Sequence, residues 1–150
     1  MKITNKHNLP PVIIDWIENA NKERQLQVEQ GDFTVTQLLS NPKEQYLLSR
    51  NPDIEVDASK FIAVLSGEAW HTGIAANSTN RRFHGALVEK RFSIKYHGWK
   101  ITGQPDVVDG DYLMDYKEST VGRFAKGVPQ EYENQLNFYH YILSSNGIHP

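Results

Sequence analysis

Apolar positions along the chain follow a helical spacing in four stretches, which predicts helices before and after a central run of strands. The predicted helices cover 10–29, 34–50, 57–77 and 129–144. Pro10-Pro11 and Pro129 are placed to open the first and last of these, and Asn41-Pro42 breaks the second. In the first helix, Val12 and Trp16 lead an apolar stripe that Ile13 and Ile17 broaden.

The central region predicts a meander of three antiparallel strands. Residues 86–96 are rich in valine, phenylalanine, isoleucine and tyrosine, and turns at His97-Gly98 and Asp109-Gly110 separate the later strands. Pro105 cannot donate to a strand ladder, so it predicts an edge, a bulge or a bend. The predicted fold class is α/β with α+β character: a central mixed sheet that contains the meander and is flanked by helices. One domain over 1–150 is expected, with a helical segment at 1–30 and a core at 34–143.

The second hairpin brings charged side chains together. With Asp109-Gly110 as the two loop residues, Asp106 lies opposite Leu113, and Asp106, Asp115 and Lys117 project from one face. The two aspartates are then diagonal neighbours, about 7–8 Å apart at the backbone. Unpaired charges on a half-buried face are costly, so this pattern indicates a divalent-cation site. A charged hairpin in solvent remains the alternative.

The amino-acid composition excludes several kinds of functional site. The chain has 150 residues and no cysteine, which excludes disulfides, zinc–thiolate sites and iron–sulfur clusters. It has no apolar run long enough for a bilayer and no opening signal-peptide stretch, so we expect a cytoplasmic protein without a membrane partner. The net charge is −2, yet residues 80–101 carry a local excess of basic side chains and residues 102–150 an excess of acidic ones. A basic strip beside an acidic pocket suits a polyanion held near a metal.

Three short motifs occur in one order along the chain: Gly67-Glu68-Ala69-Trp70-His71, then Pro105-Asp106 with Asp115-Tyr116-Lys117, then Gln135-Leu136-Asn137-Phe138-Tyr139. Together they resemble the Gly-x-x-x-His, acid–acid-x-lysine and Gln-x-x-x-Tyr motifs of the PD-(D/E)XK nuclease superfamily. The likeness is to its RecB-like and phage-type exonucleases and covers roughly residues 34–143. It implies a restriction-endonuclease-like core.

The resemblance also implies roles for individual residues. Lys117 would orient or deprotonate the attacking water, and Gln135 and Tyr139 would orient the lysine region or the nucleic acid. Arg81, Arg82, Arg123 and Lys126 are candidates for phosphate contacts. The implied ligands of Mg²⁺ or Mn²⁺ are His71, Asp106, Asp115, the backbone carbonyl of Tyr116 and, as a supplement, Glu68.

The expected function is a Mg²⁺- or Mn²⁺-dependent deoxyribonuclease, an exonuclease that leaves 5′-phosphates in DNA recombination, repair or replication. The expected setting is the cytoplasm of a bacterium or a phage-infected host. Its expected partner is DNA, with a homo-oligomer or a partner protein as further possibilities. RecB-like domains usually have a further strand after the last motif helix, so the alternatives are a minimal domain, a fragment or a partner that completes the sheet. Alternatives are an inactive or partner-completed nucleic-acid-binding module, an endonuclease of the same superfamily and an interaction domain with a merely charged hairpin.

Purely structural roles remain alternatives for several of these side chains. His71 and Tyr139 can be packing residues, and Glu89 is interpreted as a surface residue of a strand, with binding of a second metal or support of the site as the lesser alternative. Trp70 and Trp99 are expected in the core rather than as platforms for base stacking. Gly67, inside a helix, is typical of close packing.

Overall fold

The computed structural model describes residues 2–28, 32–77, 85–117, 121–125 and 127–150. Its α-helices are α1 (Pro11–Val28), α2 (Val35–Leu39), α3 (Pro42–Arg50), α4 (Ile62–Asn77) and α5 (Gln130–Ser145). Its first four strands are β1 (Lys2–Thr4), β2 (Phe33–Thr34), β3 (Glu55–Asp57) and β4 (Leu87–Val88). The other four are β5 (Phe92–Tyr96), β6 (Trp99–Gly103), β7 (Val107–Asp109) and β8 (Tyr112–Met114). The protein is therefore of mixed α/β class, as predicted.

The helix starts follow the sequence signals. Asn41 caps α3 with its side chain, Pro42 is the first residue of that helix, and Pro129 precedes α5. A short 3-10 helix, Ala58–Phe61, leads into α4 and is capped by Asp57. Among the described residues, no helix combines the length and the apolarity needed to cross a bilayer.

The meander forms one bent hairpin followed by a third strand. Phe92 pairs with Gly103 in β5 and β6, and Val88 pairs with Val107 in β4 and β7, so the same antiparallel register runs on both sides of an interruption. The interruption covers residues 89–91 and 104–106, which confirms the bend predicted at Pro105. Parallel pairing of β2 with β6 makes the β2-β6-β5 sheet mixed, while β4, β7 and β8 form a separate antiparallel sheet and β1 pairs with β3. The single central sheet that was predicted is therefore divided at the interruption.

The predicted register of the second hairpin was wrong. Asp109 pairs with Tyr112, so the two loop residues are Gly110 and Asp111 rather than Asp109 and Gly110. Gly110 has a φ of 56°, and a glycine with positive φ at the first loop position is typical of a type II′ turn. Extending the observed register sets Asp106 opposite Asp115 instead of opposite Leu113.

Two hydrophobic clusters stabilise the fold. The sheet core joins α2, the sheet and α5 through Val35, Phe92, Ile101, Val108, Tyr139, Ile142 and Leu143. The N-terminal core joins α1, the 3-10 helix and α4 through Ile17, Ala20, Ala58 and Leu65. The predicted apolar face of α1 is correct at Ile17, which is buried, and wrong at Val12, which is 68% exposed.

Two glycines behave differently from each other. A Cβ at Gly103 would lie 3.0 Å from both Tyr139 and Ile142, so this glycine lets α5 approach β6 closely. A Cβ at Gly67 would meet no atom within 4 Å, so the close packing expected there is wrong. Gly67 instead lines an open cleft between α4 and the sheet.

Candidate metal centre

Three side chains meet where α4 faces the interruption of the hairpin. His71 comes from α4, Glu89 follows β4, and Asp106 precedes β7. His71 Nδ1 lies 2.9 Å from Asp106 Oδ1 and 3.3 Å from Glu89 Oε1. One ligand atom from each residue lies within 4.8 Å of the others. One imidazole nitrogen and two carboxylate oxygens fit a divalent cation, and the nitrogen favours Mn²⁺ over the harder Mg²⁺.

The backbone at the interruption brings the two acids together. The N–H of Glu89 donates to the carbonyl of Asp106 at 2.9 Å, which fixes the two residues opposite each other. Glu89 has a φ of 49°, a left-handed conformation that is uncommon for a residue other than glycine. Such a conformation costs about 1 kcal/mol or more and is frequent at functional sites.

Asp106 is the most buried member of the group, with 5% of its surface exposed. Its Oδ2 accepts the N–H of Tyr116 at 2.5 Å, and this leaves Oδ1 to face His71. The pKa of the Asp106 carboxyl is raised to about 6, chiefly because burial removes water from the carboxylate. The bond from Tyr116 and the His71 ring oppose this rise, and the charges of Asp115 and Glu89 add to it.

Glu89 is held by a polar chain that runs away from the site. Gln104 Nε2 donates to Glu89 Oε2 at 2.7 Å, and Arg91 Nη2 donates to Gln104 Oε1 at 2.7 Å. These bonds occupy one oxygen of Glu89 and leave Oε1 turned toward His71. Outer partners of this kind orient metal ligands and commonly govern affinity.

Asp115 and Lys117 lie beside this group rather than in it. Asp115 Oδ2 pairs with Lys117 Nζ at 2.5 Å, and the Asp115 carboxylate is close enough to Asp106 to raise its pKa. The contact that the structure gives the Tyr116 backbone is made by its N–H, to Asp106. The cluster of three thus shares His71 and Asp106 with the predicted ligand set and has Glu89 where that set has Asp115.

The group opens onto a cleft of about 620 Å³. One wall is the face of α4 that carries Val64, Gly67, Glu68 and His71, which follow the i, i+3, i+4, i+7 pattern of one side of a helix. The other wall includes Glu89, Gln104, Tyr116 and Lys117. Glu68, the predicted supplementary ligand, lies on the same wall as His71. The cleft therefore presents acids, an imidazole and an ammonium group to one space.

Gln135 and Tyr139 contact each other behind the site. Gln135 Nε2 donates to the Tyr139 hydroxyl at 2.8 Å along α5, and the Tyr139 ring packs in the sheet core against Gly103. Burial raises the pKa of Tyr139 to about 12, and the charges of Asp115 and Asp106 contribute to that rise. In the structure this pair supports the strand that leads to Asp106.

Of the four predicted phosphate-binding cations, the structure locates Arg123. It is exposed, forms an ion pair with Glu131 and lies over the Tyr132 ring, 5.4 Å from the centroid. Arg81, Arg82 and Lys126 lie outside the described residues.

The sequence contains a stronger signal for Glu89 than the three motifs give. Counting back from the His97-Gly98 turn, where Tyr96 pairs with Trp99, sets Glu89 opposite Asp106. An acid opposite an acid at a break in two strands indicates a cation site, because like charges directly opposed are otherwise destabilising.

No protein-family model, no curated protein and no solved structure matches this chain.

Proposed function

We propose that the protein is a divalent-metal-dependent nuclease that hydrolyses phosphodiester bonds in DNA. The observation that carries the proposal is a single cleft lined by His71, Glu89 and Lys117. Behind its wall, Asp106 contacts His71 at 2.9 Å and Asp115 contacts Lys117 at 2.5 Å. A purely structural role is a poor explanation for a cleft lined by an acid, an imidazole and a lysine, with a buried acid of raised pKa in contact with the imidazole.

Each residue of the site would have a separate role. His71, Glu89 and Asp106 would hold the cation, and a bound Mg²⁺ or Mn²⁺ supplies Lewis-acid stabilisation to the phosphate and lowers the pKa of water. Lys117 offers an ammonium group on the cleft wall that stabilises negative charge on the phosphate. Asp115 holds that ammonium group at 2.5 Å and so fixes where its charge and its protons lie.

The proposal includes a restriction-endonuclease-like core of the PD-(D/E)XK type. Its support is the order of elements around the cleft: α4 carries Gly67 and His71, the meander carries Asp106, Asp115 and Lys117, and α5 carries Gln135 and Tyr139. The proposed setting remains the cytoplasm of a bacterium or a phage-infected host, in DNA recombination, repair or replication.

The proposal assigns exonuclease activity that leaves 5′-phosphates, and a cleavage assay tests it. End-labelled linear single- and double-stranded DNA and a closed circle are incubated with Mg²⁺, Mn²⁺ or EDTA. We expect metal-dependent loss of linear DNA, with closed circles intact, and a rate at least about a hundredfold lower for Asp106→Asn and Lys117→Met. Asp111→Asn is the matched control, because Asp111 is an exposed acid in the loop of the same hairpin.

Other outcomes separate the alternatives. Cleavage of closed circles would identify an endonuclease, and DNA binding without cleavage would identify a binding module. Cleavage that persists in EDTA, or that Asp106→Asn leaves unchanged, would contradict the proposed site.

A further inference from the structure

A second, apolar pocket of about 450 Å³ lies on the other side of α4 from the metal-site wall. Its described lining comes from α4, from the paired residues Val88 and Val107 and from Tyr116. The α4 residues are Trp70, Gly73, Ile74 and Asn77. None of these described residues carries a charge, so the lining suits an uncharged, flat or apolar group better than a phosphate.

Trp70 is the unusual member of this lining. Its side chain was expected in the core, yet it is 65% exposed, and that expectation is wrong. A large exposed indole beside an apolar pocket offers a stacking surface together with a place for the stacked group to enter.

The pocket and the candidate metal centre share one lining residue and are otherwise formed by neighbouring residues of the chain. Tyr116 lines both the pocket and the cleft, and its N–H binds Asp106. Trp70 directly precedes His71, while Val88 and Val107 are the chain neighbours of Glu89 and Asp106. A phosphate held at the cluster would therefore have its attached nucleoside close to this pocket.

We propose that the pocket is a nucleobase subsite, where an unpaired base next to the scissile phosphate stacks on Trp70. Besides the indole, the polar residues of the lining are Asn77 and Tyr116. Asn77 Nδ2 donates one hydrogen to the Gly73 carbonyl at 2.8 Å, which leaves its Oδ1 and its second N–H for the edge of a base. The inference rests on the proposed nuclease function and specifies its substrate as a single-stranded or frayed DNA end. Stacking on an aromatic ring tolerates any base, so little sequence preference is expected.

Equilibrium binding of fluorescein-labelled oligonucleotides tests the subsite. The probes are a short oligothymidylate and an abasic oligonucleotide of equal length, both in Ca²⁺ so that binding is measured apart from cleavage. We expect Trp70→Leu to weaken oligothymidylate binding about tenfold and Trp70→Phe to retain most of it. Binding of the abasic probe should be the same for the parent protein and Trp70→Leu.

Trp99→Leu is the matched control. Trp99, on β6, is also exposed, at 55%, so its expected place in the core is wrong too. It packs against Phe33 of β2 and is not among the residues that line the pocket. It should leave both affinities unchanged. Equal oligothymidylate binding by Trp70→Leu and the parent protein would overturn the subsite, and so would an equal loss for both probes, which would indicate a structural role. In either case metal-dependent cleavage by the parent protein would leave the proposed function standing. A parent protein that binds neither probe would overturn both.

Discussion

At the scale of single residues, Asp106 makes the stability of the metal-free protein depend on pH. Its pKa is about 6 in the folded protein against an ordinary value of 3.8, so the native state retains a proton that the unfolded chain releases. The resulting stabilisation is complete below pH 3.8 and is lost as the pH rises through 6, an effect of about 2–3 kcal/mol at most. Above that range the protein contains a buried, unneutralised carboxylate.

We therefore expect Asp106→Asn to stabilise the metal-free protein at pH 7.5 and to have little effect at pH 4.5. Urea unfolding in EDTA at the two pH values measures this difference, with Asp111→Asn as the exposed control. An equal effect of Asp106→Asn at both pH values would contradict the raised pKa.

Gln104 acts on the site through Glu89. Gln104→Leu removes the bond to Glu89 Oε2 and frees that carboxylate to rotate, so Mn²⁺ affinity should fall about tenfold. Isothermal titration with Mn²⁺ measures the change, and Gln130→Leu, an exposed site on α5, is the control. Unchanged affinity in Gln104→Leu would show that Glu89 does not need this partner.

At the scale of elements, the contrast between Gly103 and Gly67 predicts opposite effects of one substitution. Gly103→Ala forces a methyl group against the buried Tyr139 and Ile142, so it should destabilise the protein by about 1–3 kcal/mol. Gly67→Ala adds a methyl group in open space within α4 and should stabilise by up to about 1 kcal/mol. Chemical denaturation of the two variants checks both signs, and stabilisation by Gly103→Ala would refute the close approach of α5.

The element boundaries followed from local signals in the sequence, whereas the orientation of the helices did not. Pro11, Asn41 and Pro129 act through their own backbone or side-chain chemistry, so the helix starts were predictable. On α1, both Val12 and Ile17 belonged to the predicted apolar face, and contact with Ala58 and Leu65 decides that Ile17 is the buried residue. That contact joins elements far apart in the sequence, so no local pattern predicts it.

The candidate site was predictable in part for the same reason. His71 and Asp106 lie in recognisable motifs, and the structure brings them within 2.9 Å. The place of Glu89 in the site depends on its pairing with Asp106, seventeen positions away, and on a left-handed backbone that glutamate rarely adopts. The predicted position of Asp115 was wrong because it assumed that Asp109 is the first loop residue. Gly110 is the first loop residue instead, which changes the register of the hairpin.

At the scale of the whole molecule, the candidate metal centre lies between the two hydrophobic cores. α4 carries Leu65 in the N-terminal core and His71 in the cleft, while Glu89 and Asp106 lie in the interruption of the hairpin. A cation bound by all three would therefore link α4 to the sheet. Binding of this kind stabilises the native state by mass action.

Mn²⁺ at roughly one hundred times its dissociation constant should raise the melting temperature by about 5–10 °C. Differential scanning fluorimetry at pH 7.5 measures the shift, and Asp106→Asn should abolish it. A shift of the same size in that variant would place the cation elsewhere.

Because the register continues across the interruption of the hairpin, the fold restricts the number of residues in each arm more strictly than it restricts which residues occur there. Glu89 meets Asp106 because the same number of residues separates each from the His97-Gly98 tip. One residue added between Glu89 and Phe92 would turn Glu89 to the opposite face and separate it from Asp106. Residues added at the exposed tip would leave the spacing from Phe92 to Gly103 and onward to the site intact. The tip is thus the position where this fold accepts a longer loop, and the segments beside the acids are where it accepts none.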